Sequence, residues 1–376
     1  MGEFNSKNYL FLILLLMGAV DLPTIFRDEG SQFSPPKELV HSLETDSIRY
    51  DLWLVTENDG FPAHYYAEIF TPVCYSDKCY PVFTEFYWDL LGNFRHYEMP
   101  PGKALTKNDH EEFQPQEYQK MQEILSNESS LLGEYKAEDL VVEQREEMAQ
   151  GVDAVTGATL KTLQNEVISG AVYSCYTLWH IAHGEISELV KAHTEGIQSD
   201  KMIHRFLQSQ NHKYQYWAID QVVQEDGSIN KPFTESLLGI LRGKNIFIAQ
   251  YLLEKLSDKE FAHAEKQEWL WQTFKSSPYR LQMAILDKMT DIKIQKEIQL
   301  PLIQQLKRSN PAQQDKLIHL LGEQNRLSKP AQEELLAYLD HDKWGDEVYR
   351  ILEQQKDKIM EVREALAQHK NLQQQK

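Results

Sequence analysis

The stretch Tyr251-Leu252-Leu253-Glu254-Lys255-Leu256 recurs in kind 33 residues to either side, as Ala218-Ile219-Asp220-Gln221-Val222-Val223 and Ala284-Ile285-Leu286-Asp287-Lys288-Met289. The register continues: Ile219, Leu252, Ile285, Ile318 and Ile351 are separated by a constant step of 33. Each apolar run is followed by a polar break and a second amphipathic stretch, such as 268–274 or 298–306. Two helices per unit and a step in the thirties mark stacked helix pairs, in which one pair cannot bury its apolar face alone. The tetratricopeptide and ankyrin signatures are absent, so residues 200–370 read as an all-α solenoid of HEAT-like αα repeats. The plain alternative is an irregular helical bundle.

Upstream the periodicity changes. Ile48–Val55, His64–Phe70 and Val82–Asp89 are β-branched and aromatic, with partial alternation, and are separated by Asn58-Asp59-Gly60, Ser76-Asp77-Lys78 and Gly92-Asn93. That pattern predicts an antiparallel meander. Tyr118, Met121 and Leu125 keep helical spacing over 115–126, and an apolar helix is predicted over 163–183. The fold class is therefore an α+β amino-terminal domain, an antiparallel sheet with helices over 47–185, followed by the all-α repeats. Residues 21–40, interrupted by Pro23, Pro35 and Pro36, open a linker drawn over 21–46.

Between the two halves lies Asp153-Ala154-Val155-Thr156-Gly157-Ala158-Thr159, followed by Leu160-Lys161-Thr162. An acid, a small Gly-Ala pair and several hydroxyls fall within one short segment. The string resembles the Asp-x-x-Ser/Thr-Gly-Ala-Thr motif of covalent FMN-binding domains, found in subunits of sodium-pumping quinone reductases and Rnf-type electron-transport complexes. The resemblance covers about residues 150–183. It implies FMN esterified through its phosphate to Thr159, with Asp153, Thr156, Gly157 and Ala158 completing the motif. It also implies a flavin transferase for maturation and a membrane or periplasmic redox partner. With a helix expected from residue 163, Thr159 is placed at a helix entry, where unpaired N–H groups and the dipole favour a phosphate. The bland reading is a helix-entry loop capped by Thr156 or Thr159. Tyr87, Trp88, Tyr173 and Trp179 are aromatics that can pack on a flavin ring, each being a better candidate for core. His180 and His183 precede Gly184 and read as residues at a helix end rather than as metal ligands.

The first residues carry an apolar run, Tyr9–Val20 after Lys7, too short for roughly 30 Å of hydrocarbon. It reads as a secretory signal, or an uncleaved anchor, over 1–20. Export to the periplasm or cell envelope follows as the expected location. Cys74 and Cys79 flank a turn-like insert and read as a disulfide or two free thiols, which leaves Cys175 unpaired. Asn127-Glu128-Ser129 is a formal glycosylation sequon, read as incidental. A net charge of −18 provides no electrostatic footprint for nucleic acid. Two functions remain: an exported electron-transfer flavoprotein whose repeats dock a redox partner, and a non-catalytic envelope scaffold whose motif carries no flavin.

Overall fold

Alternation of apolar and polar residues places one face of the amino-terminal strands after the first in a core. β1 (Lys37–Glu44), β2 (Arg49–Thr56), β3 (Pro62–Thr71), β4 (Val82–Trp88) and β5 (Phe94–Glu98) form an antiparallel sheet in sequence order. The computed structural model describes residues 35–73, 80–144, 156–159 and 162–374, in two units, Met1–Ile197 and Gln198–Lys376. The predicted meander is present, with β5 as an additional strand. Its first strand lies inside the span read as a linker. Lys37–Glu44 follows Pro36 directly and pairs with β2 through a turn in which Thr45 Oγ1 accepts from the Ser47 and Ile48 amides. The strand was missed because it is an edge: charged Lys37 and Glu38 and a 47 % exposed Leu39 blunt its alternation, as edge strands require.

The inner face of the sheet carries Tyr50, Leu52, Leu54, Tyr65, Ala67, Ile69, Phe86, Trp88 and Tyr97, all buried. Three helices supply the other half of this core: α1 (Pro115–Ser126), α2 (Val172–His183) and α3 (Glu185–Gly196). Helix α1 starts as its sequence dictates, with Pro115 in its first turn and a capping box between Gln114 and Glu117. Two of the large aromatics bond backbone carbonyls across the core. Trp88 Nε1 donates to the Ala182 carbonyl at 2.8 Å and the Tyr97 hydroxyl to the Tyr118 carbonyl at 3.0 Å. The Tyr65 hydroxyl meets His193 Nδ1 at 2.8 Å and Thr194 Oγ1 at 3.0 Å, tying α3 to the sheet.

In the second unit the chain runs α4 (Asp200–Leu207), α5 (His212–Val222), α6 (Thr234–Leu241), α7 (Ile246–Lys255), α8 (Ala264–Ser276) and α9 (Tyr279–Thr290). It continues through α10 (Lys296–Gln305), α11 (Pro311–Gly322), α12 (Lys329–Leu336), α13 (Gly345–Gln354) and α14 (Met360–Gln374). Helices α5, α7, α9, α11 and α13 pack each on the next, and so do α8, α10, α12 and α14. Ile219, Leu252, Ile285, Ile318 and Ile351 fall one on each of α5, α7, α9, α11 and α13, and all five are buried.

Buried glutamines connect successive pairs. Gln267, Gln299 and Gln332 are each the fourth residue of α8, α10 and α12. Gln299 Nε2 donates to the Ile294 and Arg326 carbonyls (3.2 and 3.0 Å), and its Oε1 accepts from the Ser328 amide (2.7 Å). Gln267 makes the same set with Phe261, Lys293 and Gln295, and Gln332 with Leu327, Asp357 and Ile359. A second row runs through the loops after α11 and α13. Gln324 Oε1 accepts from the Ile294 amide and Gln355 Oε1 from the Leu327 amide, while the amide nitrogen of Gln355 donates to the Gln324 carbonyl.

Each such amide satisfies loop groups that would otherwise be buried unpaired, at about 1–3 kcal/mol apiece. Replacing Gln299 by Leu should therefore lower the stability of the helical unit by about 3 kcal/mol. An exposed-site control, Gln368→Ala on α14, should shift it by less than about 0.5 kcal/mol. Urea denaturation followed by circular dichroism checks both values.

Candidate functional site

The motif does not open a helix. Thr156–Thr159 is a strand, β7, paired antiparallel with β6 (Val141–Gln144) in a two-stranded sheet. The register sets Thr159 opposite Val141, Ala158 opposite Val142, Gly157 opposite Glu143 and Thr156 opposite Gln144. Asp153 lies outside the described residues, as do Cys74 and Cys79. Neither Thr156 nor Thr159 caps a helix, since α2 begins only at Val172. Thr159 therefore has no helix amino terminus to favour a phosphate.

The reason for the late helix start is local. Gly170 adopts φ +77°, a left-handed conformation that a helix interior excludes, and its carbonyl accepts from the Asn108 amide at 2.8 Å. The Ile168 amide turns to Cys175 Sγ at 3.3 Å instead of a carbonyl one turn back. Leu163, Val167 and Ile168 are buried all the same, so the apolar spacing reported burial and not helix.

Residues 162–171 tie the motif strand to the body of the unit. The Thr162 hydroxyl lies 3.3 Å from that of Tyr135. The Glu166 carboxylate accepts from the Ser130 hydroxyl and from the Leu131 amide at 3.0 Å. The same short 3-10 turn, Leu131–Glu134, rests on α2. A Cβ on Gly133 would come within 2.8 Å of the Trp179 ring, so only glycine fits there.

Trp179, His180 and His183 all serve backbone carbonyls. Trp179 Nε1 donates to Asn127 at 2.9 Å, His180 Nε2 to Leu132 at 3.2 Å and His183 Nε2 to Leu125 at 2.8 Å. Two of these carbonyls are at the end of α1, which leaves its last carbonyls unpaired within the helix. The histidines do lie at the end of α2, but His183 bonds the last turn of α1 and His180 the turn Leu131–Glu134. Cys175 is a free, fully buried thiol whose pKa burial pushes up to about 12, which makes it inert. Among the described residues no group of three or more His, Cys, Asp or Glu side chains is placed to hold a metal ion.

A second arrangement lies on the outer face of the five-stranded sheet and was not anticipated. Cross-strand register lines up Trp53, Tyr66, Tyr87 and His96 in one row, and Asp51, Glu68, Glu85 and Glu98 in the next. Tyr66 and Tyr87 stack at 5.6 Å between ring centroids, and Tyr87 and His96 at 4.3 Å. The signal was present in the sequence: each of β2 to β5 carries an acid two residues from an aromatic ring, hence on the same face. No single strand shows the rows; only pairing brings them together.

No protein-family model matches the chain, and no curated protein matches it in sequence.

The pKa values of His180 and His64 are both lowered, chiefly by burial of the charged form. Unfolding releases each ring to its ordinary value near 6.5, so below that pH the unfolded chain binds more protons. Stability of the first unit should therefore be fully present above about pH 6.5 and fall as the pH drops below it. Substituting Gln for His180, which retains a donor for Leu132, should flatten that fall when thermal unfolding is followed between pH 7.5 and 5.

Proposed function

We propose that this chain is an exported electron-transfer flavoprotein that carries FMN covalently on Thr159. The observation that carries this reading is the Asp153–Thr159 string, with its acid, Gly157-Ala158 pair and terminal threonine. The strand setting is compatible with such a group. In the two-stranded sheet β7 has β6 on one side and no strand partner among the described residues on the other. Gly157 and Ala158, immediately before Thr159, are the two smallest residue types. When bound, the isoalloxazine would supply the redox chemistry and the protein its placement. The residues of this chain would hold the phosphate end through the Thr159 oxygen, with the strand pairing to Val141 fixing the point of attachment. Export would make a covalent bond useful, since a dissociated cofactor is not recovered outside the cytoplasm.

The second half of the proposal is that the helical unit is a HEAT-like array that docks the redox partner. Its support is the packing of alternate helices, the burial of equivalent residues at a step of 33, and the repeated glutamine ties. The unit offers a groove of about 660 Å³ between α7 and α9, lined by Leu253, Tyr279, Met283 and Asp287 among others. Phe247 is 56 % exposed beside it, with the Arg280 guanidinium 4.7 Å from its ring. A flavin-free scaffold would use the same surfaces, so the flavin decides between the two readings.

Protein co-expressed with a flavin transferase should be yellow and should show an FMN-sized mass increment on the peptide containing Thr159. The Thr159→Ala variant should lose the increment and keep its melting temperature within a few degrees. Absence of the adduct alongside a flavinylated control would leave the scaffold reading in its place.

A further inference from the structure

The helical unit is nearly neutral, with 25 acidic and 26 basic side chains over residues 198–376, but the two signs are segregated along it. Four runs contain no Asp or Glu: 201–219, 236–253, 269–286 and 298–314. Each covers the end of one helix, a loop and the start of the next, from α4 to α5, α6 to α7, α8 to α9 and α10 to α11. In an array of antiparallel helix pairs these loops share one edge. Side chains link them there: Gln313 Nε2, at the start of α11, donates to Gln282 Oε1 on α9 at 2.7 Å, and the Arg242 guanidinium after α6 lies 4.6 Å from the Trp269 ring centroid on α8. Arg242, Lys275 and Arg308 recur on this edge at the step of 33, joined by Lys244, Arg280 and Lys307. All six are exposed.

Helix electrostatics accounts for only part of this pattern. Lys275, Lys307 and Arg308 sit in closing turns, where the dipole favours a cation. Arg280 is the second residue of α9 and Lys244 lies just before α7, where the dipole disfavours one. Carboxylates are favoured at helix starts, and on the opposite edge α4, α6, α8, α10 and α14 each have one in the first turn, while α12 does not. On the basic edge α5, α7, α9 and α11 all start without one, and the row ends at α13, which has Asp346 and Glu347. Acids are thus missing where helix stability would place them. Lys244, Lys275 and Arg308 form no ion pair among the described residues, and Lys307 pairs with Glu334 of α12 at 2.9 Å. Phe247 and Tyr279, both exposed, stand at the starts of α7 and α9 on the same edge.

We propose that this edge binds an extended acidic polypeptide segment. Its carboxylates meet Arg242 and Lys244, then Lys275 and Arg280, then Lys307 and Arg308, while an apolar side chain packs on Phe247 or Tyr279. Stacked helices lie about 10 Å apart and an extended chain rises about 3.3 Å per residue, so an acid at every third residue matches one loop after another. Exposed arginine and aromatic side chains together are what protein interfaces favour. A nucleic-acid duplex or an anionic bilayer fits less well, because its charge extends beyond one edge and the whole chain carries −18. The proposal rests on the reading of the helical unit as a docking array and supplies the chemistry of its partner. It requires no flavin, whose attachment is read separately by mass at Thr159.

The test uses the full chain and a labelled peptide of about twelve residues with Glu at every third position, followed by fluorescence anisotropy at low and at physiological salt. Binding should be measurable at low salt and weaken as salt rises. Lys275→Gln together with Arg308→Gln should weaken it about fivefold. Lys356→Gln together with Lys370→Gln removes the same charge from exposed sites elsewhere in the unit and should change it by less than about twofold. Both pairs should melt within a few degrees of the parent. In the parent chain, acetylation read by mass spectrometry should show Lys244 and Lys275 protected by the peptide, a readout that no folding defect of a variant can affect. Absence of that protection would overturn the proposal, as would no binding at low salt. Equal weakening by both pairs would reduce the effect to net charge and overturn it too. Tighter binding to phosphatidylglycerol vesicles or to a DNA duplex, lost in the first pair, would make the edge one for phosphates and not for an acidic polypeptide.

Discussion

Stacked helix pairs must reverse the chain twice per repeat, and the turns bring backbone N–H and C=O groups under the neighbouring pair, away from water. Apolar side chains cannot answer those groups, and a buried one left unpaired costs as much as a good core contact gains. In the helical unit the answer is a glutamine amide, which has two donors and an acceptor on one flexible stem. Gln299 bonds its own entry loop through Ile294 and the next loop through Arg326 and Ser328. Gln267 and Gln332 do the same one step before and one step after. Because a hydrogen bond has a fixed reach and direction, these ties set how far each pair is shifted on the last, which non-directional burial of Leu and Ile leaves free. Register in this unit is a polar property, and the core fills around it.

The sheet unit is governed by a different constraint with a similar consequence. Side chains alternate strictly across a strand, so pairing that buries Leu52, Ala67, Phe86 and Tyr97 on one face dictates what meets on the other. Asp51, Glu68, Glu85 and Glu98 are brought into line by that choice. A one-residue slip would separate them and would also expose the core. The inner face therefore decides which side chains meet on the outer one. Even the bulge in β5 respects this, since Phe94 pairs with Trp88 inward and His96 with Tyr87 outward, and Arg95 is the residue passed over.

Much of this was legible in the sequence, and the failures are informative. The step of 33 located the buried position of α5, α7, α9, α11 and α13, because a repeated environment leaves a repeated residue. Strands β2, β3 and β4 declared themselves through aromatic and β-branched runs. β1 did not, because an edge strand is selected for charge as well as for pairing. The segment 163–171 misled for the opposite reason. Leu163, Val167 and Ile168 are spaced as a helix face would be and are buried, but Gly170 in a left-handed conformation and the Ile168 bond to Cys175 hold them in turns. Burial can be read from apolar spacing, whereas backbone conformation depends on partners that the local sequence does not name. The glutamines were missed because polar residues are read as surface, and only their common place as fourth residue of successive helices betrays them.

The distribution of charge bears on the flavin reading directly. A phosphate-bearing cofactor approaching the sheet unit meets 32 acidic residues against 13 basic ones, and reversible binding would have to overcome that field. On the proposed reading, a covalent ester at Thr159 would remove affinity from the problem, since the bond and not the local electrostatics would retain the group.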